Sequence, residues 1–180
     1  MSSRLCDYIP ILKGLALVSG SIFAGIAVYI RQVEHPARLS IPNEQAVDNW
    51  RVSFNRAMPL QVSLAIMSSL SAAITWAAIY TRNHSEITTR AIKHSCNCDG
   101  WMWLIGGGLM ASVIPFTLWK LAPVNRKLLD QSLDKYSEET RSLLIKWGEL
   151  HNVRVLLSFS AMSIFFVKLF VNQHHVVLVK

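Results

Sequence analysis

Three gaps in the charge pattern constrain this chain more than any other feature. No Asp, Glu, Lys or Arg occurs between Lys13 and Arg31, between Arg56 and Arg82, or between Asp99 and Lys120, gaps of 17, 25 and 20 residues. A helix needs about 20 apolar residues to cross the hydrocarbon core of a bilayer. A fourth stretch follows Arg154 and is apolar apart from Lys168, whose long side chain can snorkel towards the headgroups. The expected fold is therefore all-α: one integral membrane four-helix bundle over residues 1–180, with spans at about 10–30, 59–81, 101–119 and 155–173. Composition agrees, since 52% hydrophobic and 16% charged residues lie far from the soluble average.

In a soluble chain a net charge of +7 would point to nucleic acid. Here the positive-inside rule accounts for it, and no nucleic-acid partner is expected. The loops after spans one and three carry ten cations: Arg31, Arg38, Arg51, Arg56, Lys120, Arg126, Lys127, Lys135, Arg141 and Lys146. The other side carries five, Arg4, Arg82, Arg90, Lys93 and Lys180. Loops one and three should be cytosolic. Both termini should face the exterior or the lumen of an endomembrane such as the endoplasmic reticulum. The sequon Asn83-His84-Ser85 falls on that outer side, which makes Asn83 a candidate for glycosylation. Cys6, Cys96 and Cys98 fall there too, and either a Cys6 bridge to one of the pair or free thiols would suit that compartment. The first apolar run lacks a clear small-residue cleavage site and is expected to be retained as span one.

Small residues at four-residue spacing predict close helix contacts, Ala16, Gly20 and Ala24 in span one and Ala65, Ser69, Ala73 and Ala77 in span two. Gly106-Gly107-Gly108 at membrane depth predicts close packing or a hinge. In loop one, Pro36 and Pro42 argue against a continuous helix. From Asn43 onward, Val47, Trp50 and Phe54 form an amphipathic stripe expected to lie on the membrane surface or to cap the bundle, with Trp50 as an interfacial anchor. Ser137 is a candidate N-cap, followed by Glu138 and Glu139 in a first helical turn.

Polar chemistry gathers between Pro115 and Arg154. Pro115 should kink the exit of span three, and Pro123 suits the first turn of a new helix bearing Asn125. Trp147, His151 and Arg154 are four and three residues apart, so an imidazole, a fixed cation and an indole share one helical face at a membrane boundary. On pattern alone two readings stand. Boundary Trp residues anchor helices, Arg meets phosphates and a lone His is structural; or the three converge on a pocket. His35 carries the same choice between a plain loop residue and a role in the site.

The run Pro115-x-Thr117, the turn Pro123-x-Asn125-x-x-Leu128 and the stripe Trp147-x-x-x-His151-x-x-Arg154 resemble the fungal anthrone oxygenases, small membrane proteins of aromatic polyketide pathways in secondary metabolism. The resemblance is most specific over residues 112–160. It departs at Arg56-Ala57, where a Gly before Pro59 would be expected. The resemblance implies that dioxygen oxidises an anthrone to the anthraquinone in a cofactor-independent monooxygenase reaction, with neither metal nor flavin. An anthrone is a flat, apolar carbon acid that would partition into the bilayer. Its oxidation would use His151 as the base, with Arg154 and Asn125 as partners of the developing oxyanion. Trp147 and Trp119 would supply flat faces for the substrate, with His35 as a further substrate-binding residue or second base. The rival class is a non-enzymatic four-span scaffold or assembly factor, which would place no polar pocket where His151, Asn125 and Arg154 converge. A haem protein is disfavoured because no His lies at the centre of a span.

Overall fold

The computed structural model describes residues 8–87 and 98–177, with side chains over 8–82 and 100–169. Helix α1 (Ile9–Tyr29) passes through a π-helical turn (Ile30–Glu34) into α2 (His35–Leu39). Helix α3 runs unbroken from Asn43 to Ile87. Helix α4 (Cys98–Phe116) passes through a second π-helical turn (Thr117–Leu121) into α5 (Ala122–Leu129), and α6 spans Glu138–Val177. No strand occurs among the described residues.

Four helical segments are long and apolar enough to cross a membrane, Ile9–Leu39, Asn43–Arg82, Gly100–Leu129 and Glu138–Leu169. Only 28–39% of their most apolar windows is buried, so most of this apolar surface faces outward. Ile11, Val18 and Ile22 on α1, Leu70 on α3 and Phe159 and Phe166 on α6 are exposed. In water so large an apolar surface would drive aggregation, and in a bilayer it is solvated. Helices α1, α3, α4 and α6 close a ring in which α3 packs on α1 and α4, and α6 packs on the same two. Helices α3 and α6 thus face each other diagonally.

Close packing follows the small residues. A Cβ on Gly20 would lie 2.5 Å from Met162 Sδ and 2.9 Å from Ser68 Oγ. One on Gly106 would lie 2.5 Å from the Phe165 ring, and one on Gly107 2.9 Å from the Ala72 Cβ. The α3 stripe differs from the expected one. Ala65 is buried, but Ser69, Ala73 and Ala77 are only half-buried, and the buried line is Ala65, Ser68, Ala72, Thr75 and Ile79. A strict spacing of four drifts around a helix of about 3.6 residues per turn, whereas alternating threes and fours keep to one face.

Pro42 lies in the break before α3 and Pro123 stands in the first turn of α5, both as expected, but Pro36 behaves differently. Pro36 does not end the first helix, which breaks only at Ser40 to Pro42. The His35 N–H reaches back to the Ile30 carbonyl, and the Ala122 N–H to the Thr117 carbonyl, each one residue before a proline. A proline ring clashes with the carbonyl four residues back, and a widened turn relieves that clash without ending the helix. The amphipathic stretch from Asn43 is the start of α3 itself and continues through Pro59. It caps the bundle. Val47 and Trp50 are fully buried there, so Trp50 is a core residue and not an interfacial anchor. Ser137 does cap α6, its Oγ accepting the Thr140 N–H at 3.2 Å. Asn83 lies near the end of α3 with its side chain outside the described residues, as are Cys6, Cys96 and the side chain of Cys98.

Candidate active site

Helix α6 carries Trp147, His151 and Arg154 into the bundle rather than onto its surface, and all three are buried. The expected helical register is the reason: four and three residues place them on one face, and that face is turned towards α1, α3 and α5. The Trp147 and His151 rings stack at 4.9 Å between centroids, tilted by 18°. The Trp147 indole donates its Nε1–H to Asn125 Oδ1 at 3.0 Å. Asn125 reaches that position because the π-turn at Thr117–Leu121 lets the chain continue as helix α5 across the bundle end.

His151 Nε2 lies 3.1 Å from the Ala27 carbonyl oxygen. A carbonyl only accepts, so Nε2 carries the proton and Nδ1 keeps the free lone pair. Nδ1 is buried and has no hydrogen-bond partner among the described residues. Arg154 Nη2 donates to Gln61 Oε1 at 2.5 Å, and its guanidinium sits 5.5 Å from the Phe23 ring centroid. No carboxylate pairs with Arg154 among the described residues. A buried cation without a counter-ion is costly unless something else compensates its charge. Arg38 is the contrast: Glu34 pairs with it, and Asn49 and Ser53 accept from it at 3.0 and 2.8 Å.

These residues line a cavity of about 220 Å³ between the diagonal helices α3 and α6. Its wall is apolar through Phe23, Ile30, Phe54, Ala65, Val113 and Ile114, with His151, Arg154, Asn125, Trp147, Gln61, Glu34 and Arg38 as the main polar groups. Buried polar atoms left without partners concentrate there: donors on Arg154 Nε, Gln61 Nε2, Arg38 Nη1 and Trp50 Nε1, and the acceptor His151 Nδ1. Native proteins leave few such groups unpaired, and those that remain call for an explanation. His151 and Arg154 both stand on the lining, and a basic imidazole beside a fixed cation in an apolar cavity is the pairing that taking a proton from a carbon acid and holding the resulting oxyanion calls for.

The cavity gathers His151, Arg154, Asn125 and Trp147, and leaves Trp119 and His35 outside. Trp119 is 78% exposed, with Lys120 Nζ 5.1 Å from its ring, on the outer surface. It follows Leu118 in the π-turn, and unlike Leu118 it is not part of the cavity lining. His35 is buried behind Trp147, with centroids 5.5 Å apart and the rings tilted by 50°. It packs against Gly148 so closely that any Cβ there would overlap its ring. His35 therefore supports Trp147 from behind.

Sequence reasoning missed Gln61, Arg38, Glu34 and Phe23. Gln61 had a usable signal, as the only amide side chain in the 25-residue gap between Arg56 and Arg82. Arg38 reads in sequence only as one of the loop cations, and nothing singles out Glu34. Phe23 carries no signal, being one aromatic in an apolar span.

The family model for anthrone oxygenases matches residues 50–164, more than half of the chain. Anthrone oxygenase AgnL2 of Paecilomyces divaricatus is 26% identical over 156 residues, covering 81% of this chain and 87% of that protein. Anthrone oxygenase tpcL of Aspergillus fumigatus is 24% identical over 151 residues, covering 81% and 85%. No solved structure matches the chain. With four membrane-length helices around a largely apolar cavity that carries a few polar groups, and a match that takes in Trp50, Gln61, Asn125, Trp147, His151 and Arg154, the chain belongs to the anthrone oxygenase family.

Proposed function

We propose that this protein oxidises a polyketide-derived anthrone to the anthraquinone with dioxygen as co-substrate and without metal or flavin. The observation that carries the reading is a pairing on the wall of one apolar cavity: His151, whose Nδ1 has no hydrogen-bond partner among the described residues, and Arg154, which has no carboxylate partner among them. His151 Nδ1 takes a proton from the central methylene, leaving an anthrolate whose charge is spread towards its oxygen. Arg154 stabilises that oxygen, and Asn125 holds Trp147 as a flat wall beside it. Dioxygen accepts one electron from the anthrolate, and recombination forms a carbon–oxygen bond and a peroxide anion. The imidazolium returns its proton to the peroxide. Removal of the second methylene proton then breaks the oxygen–oxygen bond and yields the ketone and water. One dioxygen is consumed and one water released for each anthrone.

The family match supports an apolar aromatic substrate, and the polar groups His151, Arg154 and Asn125 on the cavity wall count against a pure scaffold. The test is the purified protein in lipid nanodiscs, supplied with an anthrone under air and under argon. Quinone formation and oxygen uptake should run equally, above the spontaneous oxidation. Activity that tracks retained iron, copper or flavin, or no rate above that background, would sink the proposal.

A further inference from the structure

The cavity wall is not equally closed on all sides. Its strongly exposed lining residues are Met58, Val62 and Leu118, at 47%, 41% and 67%, and all three are apolar. Met58 and Val62 are one turn apart on α3, and Leu118 lies in the π-turn that continues the neighbouring helix α4. They mark a gap in the side of the bundle. Its depth is also legible. Arg56 lies two residues before Met58, and the exposed Trp119 with Lys120 over its ring follows Leu118 directly. Tryptophan and basic residues mark the headgroup level, so the gap opens into the acyl chains just beneath it.

The end of the bundle beyond the cavity is closed. A buried cluster of Ala46, Val47, Trp50, Leu128, Leu144 and Trp147 fills it. Hydrogen bonds tie the connections over that cluster: Arg51 to the Leu128 and Asp130 carbonyls at 2.7 and 2.6 Å, Asn43 to the Ser137 carbonyl at 3.3 Å, Arg141 to the Leu39 carbonyl, and Lys135 to Asp48.

We infer that the gap between Met58, Val62 and Leu118 is a membrane-facing mouth, through which an uncharged, flat aromatic substrate enters from the acyl layer and its product returns there. The inference rests on the proposed oxidation for the identity of the substrate, but not for the route. An apolar polycycle partitions into the bilayer, so a lateral mouth delivers it without crossing water or unfolding the hydrogen-bonded end. It also keeps bulk water from the anionic intermediate. The width of the gap, and not the affinity of the cavity, then governs exchange.

The probe is anthracene, which binds as a flat tricycle and has no acidic methylene. Energy transfer from the buried tryptophans to anthracene reports loading from vesicles and release on dilution, with the protein in nanodiscs. Met58→Phe/Leu118→Phe narrows the mouth at exposed positions. It should slow loading and release together by about one order of magnitude, with Kd unchanged within about twofold. Leu118→Ala should speed both, which guards against a misfolded double variant. Asp48→Asn, which loosens the tied end, should change neither rate. Faster exchange in Asp48→Asn with no effect at the mouth would overturn the inference in favour of an aqueous route. A loss of affinity at unchanged loading rate would overturn it too, making these residues wall and not mouth. If exchange behaves as expected while an anthrone is not oxidised, the proposed reaction fails and the mouth stands.

Discussion

Gln61→Glu separates the charge of Arg154 from its packing. In the native protein Gln61 Oε1 accepts from Arg154 Nη2 at 2.5 Å, so the cation is held but not neutralised. A glutamate carboxylate in the same place, ionised by the adjacent guanidinium, forms an internal ion pair. At charge centres about 4 Å apart and an effective dielectric near 20, that attraction is about 4 kcal/mol, similar to the cost of losing one oxyanion donor, about 2.7–4 kcal/mol. The ion pair therefore competes directly with the anthrolate for Arg154. Turnover should fall by about a hundred- to a thousandfold. KM should move little, because the apolar walls that bind the ring system are untouched. Thermal stability should hold or rise, because a buried cation gains its counter-ion. Gln61→Leu should show the reverse order: it removes a charged-group hydrogen bond of about 1.5–3 kcal/mol, lowering stability, while Arg154 stays free to meet the oxyanion. The assay is anthraquinone formation above air oxidation in nanodiscs, paired with thermal unfolding of both variants. Native turnover in Gln61→Glu would refute the reasoning, since Arg154 could then not be the group that meets the developing charge.

His151→Ala should cut turnover by about a hundred- to ten-thousandfold with the helical signal intact, measured after subtracting the spontaneous oxidation. Asn125→Leu leaves the buried Trp147 indole N–H unpaired and should cost about 1–3 kcal/mol in denaturant unfolding. Gly106→Ala drives a methyl group into the Phe165 ring and should destabilise the bundle by about 1–3 kcal/mol in the same measurement. From the charge asymmetry Lys127 and Arg141 are expected on the cytosolic side, and protease added to sealed microsomes should then cleave there. Protection of both sites would invert the topology.

The first π-turn shows where sequence reasoning stops. Pro36 reads locally as a helix breaker, and that reading holds for an ordinary helix. The chain instead takes a wider turn that removes the clash, so the helix survives and carries Glu34 and Arg38 to the cavity. The second π-turn does the same before Pro123 and carries Asn125 to Trp147. Pro123 in the first turn of α5 follows from propensity, but the survival of the first helix through Pro36 does not, because packing against the bundle decides between breaking and widening. Trp119 and Trp147 make the same point. Both are tryptophans at a span boundary, and both were expected to flank the substrate. One lies on the lipid face and the other in the core, and only the rotation of each helix against its neighbours distinguishes them.

The sequence by itself determined the four spans, the helical face shared by Trp147, His151 and Arg154, and the close approach at Gly20. Each depends on local composition or on the fixed period of a helix, quantities that a linear string contains. Tertiary structure alone decided that Gln61 from α3 meets Arg154 from α6 and that the Ala27 carbonyl fixes the His151 tautomer. It also decided that, among the described residues, Arg154 has no carboxylate while Arg38 has one. Those depend on how far each helix is rotated and shifted in the bundle. That arrangement is set by the sum of many weak packing contacts among all four helices, and no short stretch of sequence encodes it.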